Sequence, residues 1–125
     1  MRNDKENVIV DLTFKFALDI VKYCHELEKQ KKFVLANQIL KSGTSIGANV
    51  REAQNGESKI DFIHKMKIAA KEADKLQYWL LICKESEGFP DCFEPLEKID
   101  GIIKMLSKII GTSKRNIGFH NSSSN

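Results

Sequence analysis

Between residues 57 and 87 the apolar positions Phe62, Met66, Ala69, Ala73, Leu76, Leu80 and Cys83 follow one another at spacings of 4, 3, 4, 3, 4 and 3. This is a heptad seam, the pattern of a long helix buried along one side by other helices. From Tyr78 to Cys83 the sequence YWLLIC is apolar around the whole helix. A helix apolar on every side needs cover on more than one flank, and a small lone subunit has little to offer. The segment predicts contact between copies, a homo-oligomer, with Tyr78, Trp79 and Ile82 as the candidate interface.

The same periodicity predicts three further helices. The first spans about Asp11 to Glu28, with Asp11 as a plausible N-cap. Its stripe is Phe14, Ala17, Val21 and Cys24, widened by Leu18, Ile20 and Leu27. A basic connector, KQKK at 29–32, leads to a second helix over about 33–54 with a core stripe of Ile39, Gly43, Ile46, Val50 and Ala53. Gly43 and Gly47 each cost about 1 kcal/mol relative to alanine in an exposed helix. Two readings stand: close approach of a neighbouring helix, or a weak and kinked turn.

Asn55-Gly56 ends the second helix, and Ser58 to Asp61 resembles a capping box that starts the third. Gly88 and Pro90 stop it. The fourth helix starts at a box-like Asp91 to Glu94, has Pro95 in or near its first turn, and carries Leu96, Ile99, Ile103, Leu106 and Ile110. Gly111 closes it. Four such helices on short links predict an all-α fold, an antiparallel up-down-up-down four-helix bundle over residues 1–111. The polar residues 112–125 are expected to form a disordered tail.

Composition changes this picture little. The chain has 125 residues, 42% hydrophobic and 30% charged, which suits one globular domain. No run of about 18 apolar residues is present, so no membrane span and no membrane partner are expected. The N-terminal MRNDKENVIVD has no long apolar stretch of a secretory signal, so a cytoplasmic location is expected. The net charge is +3, but residues 1–111 hold 18 basic and 17 acidic side chains, a net of +1. Bulk charge is therefore a weak argument for nucleic-acid binding, and any such role must come from local clustering.

Candidate chemistry is sparse. Cys24, Cys83 and Cys92 are too few and too scattered for a zinc site or a disulfide framework, and small buried hydrophobes are the expected role of Cys24 and Cys83. His25, His64 and His120 lie in separate segments, and no phosphate loop, paired-carboxylate signature or metal-ligand spacing is present. The reading is of a protein that is not an enzyme and needs no cofactor or metal. On the second helix Ser42, Ser45, Asn49 and Glu52 fall within roughly 80° of one another and form a polar stripe. It is either a ligand groove or a hydrogen-bonded boundary layer, and the second is favoured because no histidine stands by as a base.

Two basic features suit a polyanion. On the third helix His64, Lys67, Lys71 and Lys75 share the face opposite the seam, also within about 80°, and Tyr78 continues it. Lysines with a terminal aromatic can touch phosphates and stack a base. Six acids on the same helix oppose this. The connector lysines Lys29, Lys31 and Lys32, with His25 nearby, form a second basic cluster.

The run Gln38 to Ala53, QILKSGTSIGANVREA, resembles the second-helix signature of the 23S ribosomal RNA intervening-sequence proteins, a bacterial four-helix bundle family. Asp61 to Lys65, Ile68-Ala69, Lys71 to Ala73 and Tyr78 to Leu80 resemble the third helix of that family, and Ile103 to Leu106 fits the fourth. The resemblance covers roughly residues 8–111. It implies an antiparallel bundle assembling as a homopentamer, with no defined enzymatic activity. An interaction scaffold is the leading expectation. The alternative is an RNA or single-stranded DNA binding protein, as in the related basic accessory proteins of diversity-generating retroelements, which partner a reverse transcriptase.

Overall fold

The structure is a computed structural model that describes residues 7–124, with side chains described to residue 118. Four helices follow in order: α1 (Val8–Lys29), α2 (Phe33–Ala53), α3 (Lys59–Glu85) and α4 (Phe93–Ser124). The links between them have three, five and seven residues. Links this short make each helix run antiparallel to the one before. α1 packs on α2, α2 on α3 and α3 on α4, while α1 and α4 close the square and the backbones of the diagonal pairs stay apart. This is the expected four-helix bundle.

The ends of the helices show local chemistry at work. At the start of α3 the Ser58 hydroxyl accepts a hydrogen bond from the Asp61 N–H at 3.1 Å. Asp61 also places a negative charge in the first turn, where the helix dipole favours it. Ser58→Ala should lower stability by about 1 kcal/mol, read as a drop in urea midpoint at constant m-value. α1 starts one turn earlier than Asp11, at Val8 with Asn7 before it. Burial of Ile9 and Thr13 draws that first turn into the bundle. The turn after α1 closes at Lys31, which takes a left-handed φ of 60° and donates its N–H to the Glu28 carbonyl at 2.9 Å.

The fourth helix corrects the expected stop. Gly111 does not take the left-handed conformation that ends a helix, and α4 continues through residues 112–124 where a disordered tail was expected. No proline follows Gly111, and Lys114 and Arg115 are good helix formers. Asn125 lies outside the described residues. Pro95 sits in the first turn of α4, where its missing N–H leaves no hydrogen bond unmade.

The core joins all four helices. α3 buries Met66, Ala69, Ala73, Leu76, Leu80 and Cys83 as its seam predicts, but at its start Ile63 is buried and Phe62 only partly covered. α2 buries the predicted stripe Ile39, Gly43, Ile46, Val50 and Ala53. Its glycines serve close approach. A Cβ at Gly43 would stand 2.6 Å from Ile20 Cγ2, and one at Gly47 would stand 3.2 Å from the Thr13 carbonyl oxygen. The backbone of α2 therefore lies directly against α1 at these two turns.

α1 is where the sequence reading and the structure part. Only Ile20, Cys24 and Leu27 of the expected stripe are buried, and they are joined by Ile9, Thr13, Phe16 and Tyr23. Phe14, Leu18 and Val21 are 58%, 48% and 47% exposed. Phe14 and Phe16 stand about 200° apart on a helix, so α1 carries two apolar stripes. The stripe with Ile20 turns inward because its side chain fits the space left by Gly43.

Candidate functional site

The outward stripe of α1 is one wall of an open groove. Val10, Phe14, Ala17, Leu18 and Val21 line it from α1, and Thr44, Gly47, Ala48 and Arg51 from α2. Its volume is about 720 Å³. Gly47 and Ala48 keep the α2 wall low, so the groove stays shallow and apolar. Asp11 and Arg51 place opposite charges among its lining residues. Sequence reasoning missed this face because it assigned Phe14, Leu18 and Val21 to the core. The available signal was the second stripe, Phe16, Ile20, Tyr23 and Leu27, on the same helix.

α3 contributes a second apolar surface. Tyr78 is 60% and Leu81 44% exposed, while Trp79 and Ile82 are partly covered. Trp79 packs against the core, and its buried indole N–H finds no acceptor among the described residues. Tyr78 meets the Trp79 ring edge-on at 5.5 Å between centroids. The expected interface residues thus lie at the outer border of α3, and α1 and α3 stand diagonally across the bundle.

The polar stripe on α2 is turned back on its own helix. Ser42 Oγ donates to the Gln38 carbonyl at 2.7 Å, Ser45 Oγ to that of Lys41 at 2.7 Å, and Asn49 Nδ2 to that of Ser45 at 2.9 Å. Glu52 reaches across to Lys65 of α3 at 3.1 Å. These groups form a boundary layer between α2 and α3, and their donors are spent on backbone carbonyls.

The basic residues divide into engaged and unengaged. Lys29 pairs with Glu26 at 3.2 Å, Lys75 with Glu72 at 3.3 Å, and Lys32 lies 4.1 Å from the centre of the Phe89 ring. Lys31 and His25 are exposed at the bundle end. On α3, His64, Lys67 and Lys71 are exposed. Lys114, carried there by the continued α4, joins Lys67. The nearby Lys114 ammonium holds Lys67 below the usual lysine value, with loss of hydration and then Lys71 adding to the effect.

The three cysteines are free and buried. Cys24 Sγ donates to the Ala36 carbonyl at 3.4 Å and Cys92 Sγ to that of Leu80 at 3.3 Å. Tyr23 donates to the Pro90 carbonyl at 2.8 Å. Burial pushes the Cys24 thiol up to about 12, with Glu28 and then Cys83 adding to it. Burial also raises Tyr23, Cys83 and Cys92. Thiols held this way stay protonated near neutral pH and are poor nucleophiles and ligands. Among the described residues no cluster of three His, Cys, Asp or Glu side chains is placed to hold a metal ion, and no helix is long and apolar enough to cross a membrane.

The class is set by this architecture: an all-α four-helix bundle with short links and an apolar outer groove. The chain belongs to the 23S rRNA-intervening sequence protein family, whose pattern it matches over residues 5–108. It is similar to a crystal structure of a protein of unknown function from the S23 ribosomal protein family of Bacteroides thetaiotaomicron VPI-5482. The two are 42% identical, with a TM-score of 0.75, over 82% of this chain and 98% of that one. No curated protein matches. Neither similarity names a catalytic activity.

Proposed function

We propose that the protein is a self-assembling scaffold whose copies associate through the outer face of α1 and α2. The observation that carries this reading is the exposure of Phe14, Leu18 and Val21 beside the low wall of Gly47 and Ala48. Contiguous apolar surface of this kind is rare on soluble monomers and marks a binding face. The occupant is a second copy, because the chain carries its own complement. The Tyr78–Ile82 border lies on the helix diagonal to α1, so the two apolar surfaces face different ways. Two unlike patches on one subunit suit a head-to-tail contact, which closes into a ring when the rotation allows. A homopentamer is the ring implied by the resemblance noted above.

Light scattering at micromolar concentration tests the reading. The mass is expected to be a multiple of the 14.2 kDa chain, with five copies favoured. Leu18→Glu places a charge in the groove and should give a helical protein of monomeric mass. Trp79→Ala should loosen the assembly if the α3 border is the opposing face. A monomeric wild type would overturn the proposal.

A further inference from the structure

We propose that two copies of the chain pair end to end through the bundle end that holds the α1–α2 and α3–α4 links, the lysine-flanked Phe33 and Val34 of one copy seating against the acid-flanked Phe93 of the other. This contact is distinct from the lateral one proposed above and does not depend on it.

The two links share one end of the bundle, since Lys32 lies over the Phe89 ring and Tyr23 bonds to the Pro90 carbonyl. They carry opposite charge. Residues 29–34, KQKKFV, hold three lysines and no acid, and residues 85–97 hold five acids and no lysine or arginine. Glu26, Glu28 and Lys84 at their edges reduce the contrast without reversing it: residues 26–34 still carry +1 and residues 84–97 carry −4. Much of this charge is not spent within the chain. Among the described residues Lys31, Glu85, Glu87, Asp91 and Glu97 make no ion pair, and Lys32 turns to an aromatic ring.

Each half also exposes large apolar side chains. Phe33 and Val34 at the start of α2 are 55% and 77% exposed, and Phe93 at the start of α4 is 65% exposed. Phe93 walls two open clefts, one of about 400 Å³ with Asp91 and Glu94, the other of about 320 Å³ with Asp91 and Glu97. A cleft with an aromatic wall and an acidic rim suits an apolar knob flanked by lysines. Residues 31–34 of a second copy are such a knob. The occupant is a second copy because the end is divided in sign. A two-fold axis across it brings basic half to acidic half twice, whereas a partner of one sign meets repulsion over half the surface.

The test is the mass of the full chain by sedimentation at about 50 mM and about 0.5 M salt. The wild type is expected to double its mass at the lower salt, because screening weakens the pairing of exposed charges. That ratio of two holds whether the lateral contact gathers one copy or several. At about 0.5 M salt the mass reads the lateral contact alone, for Leu18→Glu as for wild type. K29E/K31E reverses the sign of the basic half, and E85K/E87K/D91K that of the acidic half. Each variant alone should keep its high-salt mass at low salt, because like charges then meet, while circular dichroism shows the helices intact. An equal mixture of the two should regain the doubled mass, since each supplies what the other lacks. A wild type of equal mass at both salts would overturn the proposal and leave the end to a different partner. So would pairing that survives either reversal, or a mixture of folded variants that does not recover it.

Discussion

Between about pH 8 and pH 10.5 the protein is expected to lose about 2 kcal/mol of stability or more, more steeply than its surface charges account for. The cause is the buried group of Tyr23, Cys24, Cys83 and Cys92. All four are acids that are neutral when protonated, and burial raises the folded-state value of each. As pH climbs past about 9, cysteines in the unfolded chain release their protons while those in the bundle retain them. The unfolded state then binds fewer protons than the folded one, so stability falls with rising pH. The contribution is complete below the unfolded value and is lost progressively toward the folded value.

For Cys24 the folded value is about 12. That thiol alone should cost about 2 kcal/mol by pH 10.5. Cys83, Cys92 and, at higher pH, Tyr23 act in the same direction. Urea unfolding under reducing conditions at a series of pH values measures the slope. Cys24→Ala should be less stable near neutral pH, because it leaves a small cavity, yet lose less on going to alkaline pH. A slope unchanged by that replacement would show that Cys24 is not protected by the fold.

Gly43→Ala is expected to lower stability by about 1–2 kcal/mol, although alanine is the better helix former by about 1 kcal/mol. The added methyl would meet Ile20 Cγ2 at 2.6 Å, Cγ1 at 3.1 Å and Cβ at 3.2 Å. These atoms sit at the branched base of Ile20 and cannot swing aside as a long side-chain tip would. α1 must move away or Ile20 must leave its rotamer. Ile20→Ala removes both γ-carbons and alone should cost about 2–5 kcal/mol. In the double variant the two losses should fall short of their sum by about 1 kcal/mol or more, the mark of a direct contact. Strict additivity, or a Gly43→Ala variant as stable as wild type, would show that α1 and α2 do not approach this closely.

Both results bear on assembly. The inward seating of Ile20 and Thr13 against the two glycines turns Phe14, Leu18 and Val21 outward. A change at Gly43 that rotates or displaces α1 should therefore also weaken association between copies. Light scattering on the folded fraction of Gly43→Ala would register that coupling.

Much of the fold was legible along the chain. α2 has one apolar stripe and α3 one seam that runs its whole length, and such a continuous stripe can only face the core. Ser58 and Asp61 announce a helix start through chemistry that acts within one turn. The polar stripe of α2 could be read as a boundary layer because serine and asparagine readily bond carbonyls of their own helix. α1 was not legible in the same way. With apolar residues on nearly opposite sides, its periodicity permits either face to be buried, and only the partner helix chooses. The α4 extension was obscured by Gly111, since a glycine ends a helix only when its backbone takes the left-handed form.

Sequence by itself determined that there are four amphipathic helices on short links, and hence an antiparallel bundle, because hydrophobic period and chain reach are local properties. Tertiary structure alone decided which side of α1 faces water and that Lys114 comes to rest beside Lys67. Those outcomes depend on how side chains from distant segments fit together in space: a glycine vacancy on α2 selects the rotation of α1, and the length of α4 carries a charge across to α3.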